Sequence, residues 1–149
     1  MGDLLGVKIE GTEELLRKLE ALGVDLRELL VQATEAGGEV IGDGAADAAP
    51  GEGITVEVLS KKAGSVEVGI GPDKEHWYYR FSEYGAQPHE ISPETAKVLA
   101  FEGSGGTVFA GGVSHPGMAA RPFLRPAIQD KAEEASAALG AVLEKALEK

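Results

Sequence analysis

Three histidines, His76, His89 and His115, lie near a scatter of carboxylates, Asp73, Glu75, Glu83 and Glu90. Imidazole and carboxylate together make the ligand set of divalent metals and the acid–base pair of many hydrolases. A helical zinc site needs two histidines four residues apart with a glutamate beside the first. The spacings here fit no such pattern. Each histidine also falls in or beside a predicted loop, so all three read as surface residues, with no metal. Ser104 and Ser114 sit among glycines, but neither has the strand–turn–helix context of a GxSxG nucleophile. Gly103-Ser-Gly-Gly-Thr107 lacks the lysine of a phosphate loop, and Gly42-Asp-Gly44 follows a helical pattern rather than a strand. Both read as connectors. Glu133, Glu134 and Glu144 read as a solvated helix face. No set of residues completes a catalytic constellation, and no cofactor is expected.

Two other stretches concentrate unusual chemistry. His76-Trp-Tyr-Tyr-Arg-Phe-Ser-Glu-Tyr-Gly85 holds most of the aromatic residues of the chain. These rings could stack on bases or sugars, but they read better as a core anchor with one or two rings left for a partner. Glu83 stands among them, and a carboxylate there calls for a cation unless it points to solvent. Arg121-Pro-Phe-Leu-Arg-Pro126 offers two candidates, Arg121 and Arg125, able to give a bidentate bond. The residue before a proline is pushed out of the helical region, so both arginines are expected to be extended. Pro122 and Pro126 would stiffen the path, with Phe123 and Leu124 plugged into the core. Pro126 would then open the last helix, at the position where proline is favoured.

The totals narrow the class. The 149 residues suit one domain with a real core. A hydrophobic share of 43% argues against disorder throughout. The absence of cysteine excludes a disulfide framework, thiolate zinc and a cysteine nucleophile. A formal net charge of −11 argues against binding nucleic acid by charge. No apolar run approaches a membrane span, and the opening MGDLLGVKIEG has neither the charge nor the apolar core of a signal peptide. Position 6 is Gly6, which breaks the myristoylation pattern. A soluble protein made in a cytoplasm is expected.

The elements that must position these residues follow from periodicity. Val7-Lys-Ile-Glu-Gly11 alternates as a short strand. Thr12 caps a helix carrying Leu15, Leu16, Leu19 and Leu22, which Gly23 ends. Asp25 with Glu28 resembles a capping box. It opens a second helix with a stripe of Leu26, Leu29, Leu30, Ala33, Val40 and Ile41, ending before Pro50. Gly37, Gly38, Gly42 and Gly44 weaken that helix, unless a close packing partner requires them. Ile54–Leu59 and Ser65–Ile70 alternate about a turn at Lys61-Lys-Ala-Gly64, which predicts a hairpin. A short helix is expected from His76 to Gly85. Ser92-Pro93-Glu94 has the cap, proline and acid of a helix start. Val98-Leu-Ala-Phe101 and Thr107-Val-Phe109 predict a second hairpin across glycines. Ile128, Ala132, Ala135, Leu139, Val142 and Ala146 form a clean stripe on a long final helix. The fold class is α+β. A small antiparallel sheet packs against two longer helices, and a protruding glycine-rich hairpin arm spans residues 86–118 of a single domain, 1–149.

In this order, the features resemble the tail-completion or neck protein family of long-tailed bacteriophages, often called gp10-like or minor tail proteins and related to tail-to-head joining proteins. The resemblance rests on Val7–Gly11 with its leucine-rich helix, on Tyr79-Arg-Phe-Ser-Glu-Tyr-Gly85 and on Ala120-Arg-Pro-Phe-Leu-Arg-Pro-Ala127. Leu99–Phe101, Val113 and His115-Pro-Gly117 resemble the linking arm. It marks Tyr79, Phe81, Glu83, Tyr84, Gly85, Arg121, Pro122, Phe123, Leu124, Arg125 and Pro126 as the structural or assembly motif. It implies a structural virion protein of the neck, assembled in the host cytoplasm. Such a protein would form a ring, commonly of six subunits and monomeric until it meets its partners, around a channel through which DNA passes unbound. Its partners would be further copies of itself, an adaptor or stopper ring of the head connector, and a tail terminator or tail tube protein. Three alternatives stand beside this reading: a tail terminator capping the tube, a metal-dependent hydrolase using the histidines with Glu83 or Glu90, and an acidic module for a basic host protein.

Overall fold

The computed structural model describes residues 5–8, 17–18, 20–21, 23, 25–62 and 64–148. Its class is α+β. Strand β1 (Leu5–Lys8) and the hairpin β2 (Ile54–Lys62) and β3 (Ser65–Pro72) form one antiparallel sheet in the order β1-β3-β2. Val66, Val68 and Ile70 are buried and Glu67 between them is exposed, as two-residue periodicity requires. The hairpin is longer than the sequence suggests. Lys61 and Lys62 stay in the ladder opposite Val66 and Ser65, leaving Gly64, at φ +77°, to carry the reversal. The register shifts between Val58 and Ser60, which marks a bulge at Leu59. Leu59 is exposed, on the side of the strand that also carries the exposed Glu57 and Lys61.

Helix α1 (Leu26–Ala48) lies across this sheet. The Asp25 carboxylate accepts from the N–H groups of Arg27 and Glu28, which fixes the start. Glu28 does not complete a capping box; its side chain accepts from Gln32 one turn on. The glycines have packing reasons. A Cβ on Gly38 would meet Val56 and Val68 at 3.0 Å, and one on Gly42 would meet Val56 at 2.7 Å. A Cβ on Gly37 would lie 3.1 Å from the Ala135 carbonyl oxygen. The loss in helix propensity is therefore exchanged for close approach of α1 to the sheet on one side and to the C-terminal helix on the other.

That helix, α3 (Leu124–Leu147), packs mainly along α1 and enters the core through its first turn. Leu124, Ala127 and Ala135 are buried with Ile41, Ala45, Val66, Val68, Ile70, Tyr79 and Phe123. The short helix α2 (Tyr79–Tyr84) begins three residues later than expected, because residues 75–78 form a turn. Among residues 86–118, β4 (His89–Ile91) pairs with β7 (Val113–His115), and β5 (Leu99–Gly103) pairs with β6 (Gly106–Ala110). No helix forms after Pro93. Residues 94–98 are bends and exposed, since a single turn with no apolar face to bury cannot repay helix nucleation. Residues 17–18 and 20–21 are helical. The expected Thr12 cap and the leucines at 15, 16, 19 and 22 lie outside the described residues, as do Ile9, Glu10 and Gly11.

Candidate functional site

The fold brings the two unusual stretches of the sequence together. Tyr79 is buried at the start of α2. Its hydroxyl donates to the Glu52 carbonyl at 2.9 Å, and its ring meets Phe123 edge-on at 6.2 Å. One turn on from Tyr79, Glu83 points into the same interior and is only 1% exposed. Helix α2 ends at Gly85, whose φ is +75° and whose N–H donates to the Phe81 carbonyl. A Cβ there would strike the backbone of Met118 and Ala120. Gly85 thus lets the chain leaving α2 run against the chain returning to α3. Ala86 and Met118 exchange backbone hydrogen bonds at 2.9 and 2.8 Å, and the Arg121 N–H donates to the Ser82 carbonyl at 2.6 Å.

Glu83 is the centre of this junction. Its Oε2 accepts from the N–H of Phe123 at 2.7 Å and of Leu124 at 2.9 Å. Its Oε1 accepts from the Arg125 N–H at 3.3 Å and from Arg125 Nε at 2.8 Å. Arg125 also donates through its NH2 group to the Glu83 carbonyl and lies over the Tyr84 ring. The first N–H groups of any helix lack intrahelical partners. Here Phe123 occupies the cap position and its side chain has no acceptor. A carboxylate forty residues earlier in the chain does the capping, at the end of the helix where negative charge is favoured.

The electrostatics follow from that geometry. Burial raises the Glu83 pKa, and the backbone donors of Leu124 and Phe123, with those of Arg125, lower it; the donors win, and the carboxyl titrates below its ordinary range. Asp73 is also held low, because its carboxylate is hydrogen-bonded to the His76 ring and backbone N–H at 2.7 and 2.9 Å.

Of the two candidate arginines, Arg125 is the one that meets Glu83, and the side chain of Arg121 is exposed. Other expectations need correction. Arg125 is helical rather than extended, because α3 starts at Leu124 and Pro126 is its third residue. Proline is tolerated there, where its N–H would have had no intrahelical partner. Glu83 does not face solvent. The aromatic cluster is mostly not core: Tyr79 alone is buried, whereas Trp77, Tyr78, Phe81 and Tyr84 are exposed. Pro122 is exposed and Phe123 buried, as an anchor on a stiff approach requires.

Capping by Glu83 is the feature that residue-level reasoning misses. Its signal is negative: a helix beginning after Arg-Pro-Phe has no Ser, Thr, Asp or Asn to cap it. His89 and His115 also meet, across the β4–β7 pair, with rings stacked at 5.0 Å. His76 stands apart, against Asp73 and Tyr79. Among the described residues, no group of three or more His, Cys, Asp or Glu could hold a metal ion. No described helix is long and apolar enough to cross a membrane.

No curated protein and no solved structure matches the chain significantly. Residues 13–85, which run through α1, the β2–β3 hairpin and α2 to its terminating glycine, match the family described as "Bacteriophage HK97-gp10, putative tail-component". The match ends at the α2 signature that supplies Glu83, and over that stretch, just under half of its length, the chain is similar to this HK97-gp10-like family of phage tail components.

Proposed function

We propose that this chain is a phage tail component that acts at the neck of the virion, completing the tail and joining it to the head as a ring around the DNA channel. The family match over residues 13–85 carries the reading. Two physical features support it. The described residues hold a buried junction whose polar groups are spent on tying α2 to α3, and this suits a mechanical part better than a reaction centre. The net charge of −11 suits a channel lining along which DNA slides without sticking.

In this reading the partners are further copies of the chain, the connector rings of the head on one side and the tail terminator or tail tube on the other. The domain is single, with residues 86–118 as the arm that engages them. Electron microscopy of a lysate from phage carrying a stop codon in this gene tests the role. Full heads and complete tails lying unjoined are expected. Overlong tails would assign the chain to tail termination, and normal infectious particles would sink both roles.

A further inference from the structure

Among the described residues, an exposed apolar ribbon and an open apolar cleft differ in shape. The first is the β5–β6 hairpin. Its register sets Phe101 opposite Val108 and Phe109 opposite Ala100. Adjacent cross-strand pairs face opposite sides of the ribbon, so each side carries a phenylalanine, and the Phe109 side also carries the Glu102–Thr107 pair next to the turn. Phe109 is 67% exposed, and Phe101 and Val108 are 44% exposed each. A two-stranded ribbon with no covering layer is marginal in water.

The second surface is a cleft of about 420 Å³ between α2 and the β4–β7 pair, walled by Tyr78, Phe81, His89, Ile91, His115 and Met118. Its walls are set. His89 and His115 stack on each other, and their Nδ1 atoms are engaged by the Gln87 carbonyl and the Gly117 N–H. A dry cavity of about 150 Å³ already accepts benzene, so this cleft has room for a phenyl ring together with a second apolar side chain.

Charge distribution selects the occupant. No Asp, Glu, Lys or Arg lines the cleft. Within residues 86–118 only Glu90, Glu94, Lys97 and Glu102 are charged, in a chain that is otherwise densely and mostly negatively charged. A basic partner would choose the acidic body. The uncharged cleft fits a mostly apolar ribbon, whose single carboxylate, Glu102, sits next to the turn and accepts from the Thr107 hydroxyl, and such a ribbon is carried by the same chain. It is also at these charge-poor surfaces that two acidic copies can approach with least repulsion.

We propose that the β5–β6 hairpin of one copy docks, through Phe109 and its neighbours, into the cleft of a second copy. Ribbon and cleft are different surfaces, so the contact is heterologous and repeats from copy to copy, closing into a ring where the rotation allows. This rests on the ring reading above and supplies its subunit contact.

The absence of native cysteine allows a direct test. Thr107→Cys is placed on the same hairpin face as Phe109, and Ser82→Cys on the cleft wall. The two single variants are mixed at high concentration, oxidised and separated without reductant. A disulfide-linked dimer containing one chain of each kind is expected, and it should be lost when Phe109→Asp is added to the Thr107→Cys chain. The double variant, carrying both cysteines, should give a ladder that ends at a closed ring. Linkage only between two Thr107→Cys chains, linkage only within the double variant's own chain, or no linkage would each overturn the contact. Native mass measurement separates the two ideas: a ring without this linkage keeps the ring reading and removes this contact, whereas the linkage in a protein whose loss leaves particles normal keeps the contact and removes the joining role.

Discussion

Replacing Glu83 perturbs the junction where the structure offers no substitute. The carboxylate is buried and accepts three backbone N–H groups and one guanidinium N–H. At about 1.5–3 kcal/mol for each bond to a charged group, a simple sum would approach the whole stability of a domain, about 5–15 kcal/mol. The sum overshoots for two reasons. The Arg125 side chain is half exposed, so water screens that pair and it contributes about 1 kcal/mol or less. Water can also reach some of the orphaned N–H groups once the side chain is gone. What remains is the removal of one partner from a buried charged network, about 3–5 kcal/mol. In a chain of this size about 1 kcal/mol moves Tm by 2–4 °C, so Glu83→Ala should lower Tm by about 6–20 °C. Arg125→Ala should cost far less, about 1–2 kcal/mol, mostly through lost packing on Tyr84.

Glu83→Gln separates charge from shape, and acid separates it further. The native carboxyl titrates below its ordinary value of 4.5. Between the two values the unfolded chain takes up a proton that the native state refuses, so stability rises with pH there. The contribution is fully present above the ordinary value and is lost as pH falls through the lowered native one. The gap in Tm between the native chain and Glu83→Gln, followed by circular dichroism, should therefore be widest near neutrality and shrink below pH 4.5. If the Glu83→Gln variant melts within about 2 °C of the native protein at neutral pH, a shift worth less than about 1 kcal/mol, the capping argument is refuted.

Other consequences are testable by the same melts. Phe123→Ala empties a fully buried site against Tyr79 and should cost about 3–5 kcal/mol; an unchanged Tm would remove the anchor. Gly42→Ala and Gly140→Ala should have opposite signs. The first drives a methyl to 2.7 Å from Val56 and should destabilise by about 1 kcal/mol after the gain in propensity. The second meets nothing within 4 Å in mid-helix and should stabilise by up to about 1 kcal/mol. Gly85→Ala combines a positive φ with collision against the backbone of Met118 and Ala120, and should be among the most damaging single methyl additions, in melts and in phage yield alike.

The parts of the fold governed by short-range rules are legible in the sequence. Alternation places β2 and β3, Asp25 and Pro50 bracket α1, and the spacing of Ile128 to Ala146 places α3. The glycines of α1 are legible as a conflict with helix propensity, and only packing against Val56, Val68 and Ala135 resolves it. The errors come where a local rule meets a distant partner. Local rules make Pro126 open the helix and leave Arg125 extended, because nothing nearby can cap a helix starting two residues earlier. Glu83, brought there by α2, makes that start possible. Ser92-Pro-Glu94 has the local form of a helix start but no apolar face to follow it. The aromatic cluster reads as core from hydrophobicity alone, whereas α2 is too short to bury more than Tyr79 and Glu83.

The central claim concerns place. Cryo-electron microscopy of purified virions, with the density between head and tail fitted by this fold, tests it most directly. A closed ring of copies of this chain is expected, six on the neck reading, seated between the head connector and the tail tube with the channel along its axis. Virions that lack the chain, or carry it only at the distal tip of the tail, would contradict it.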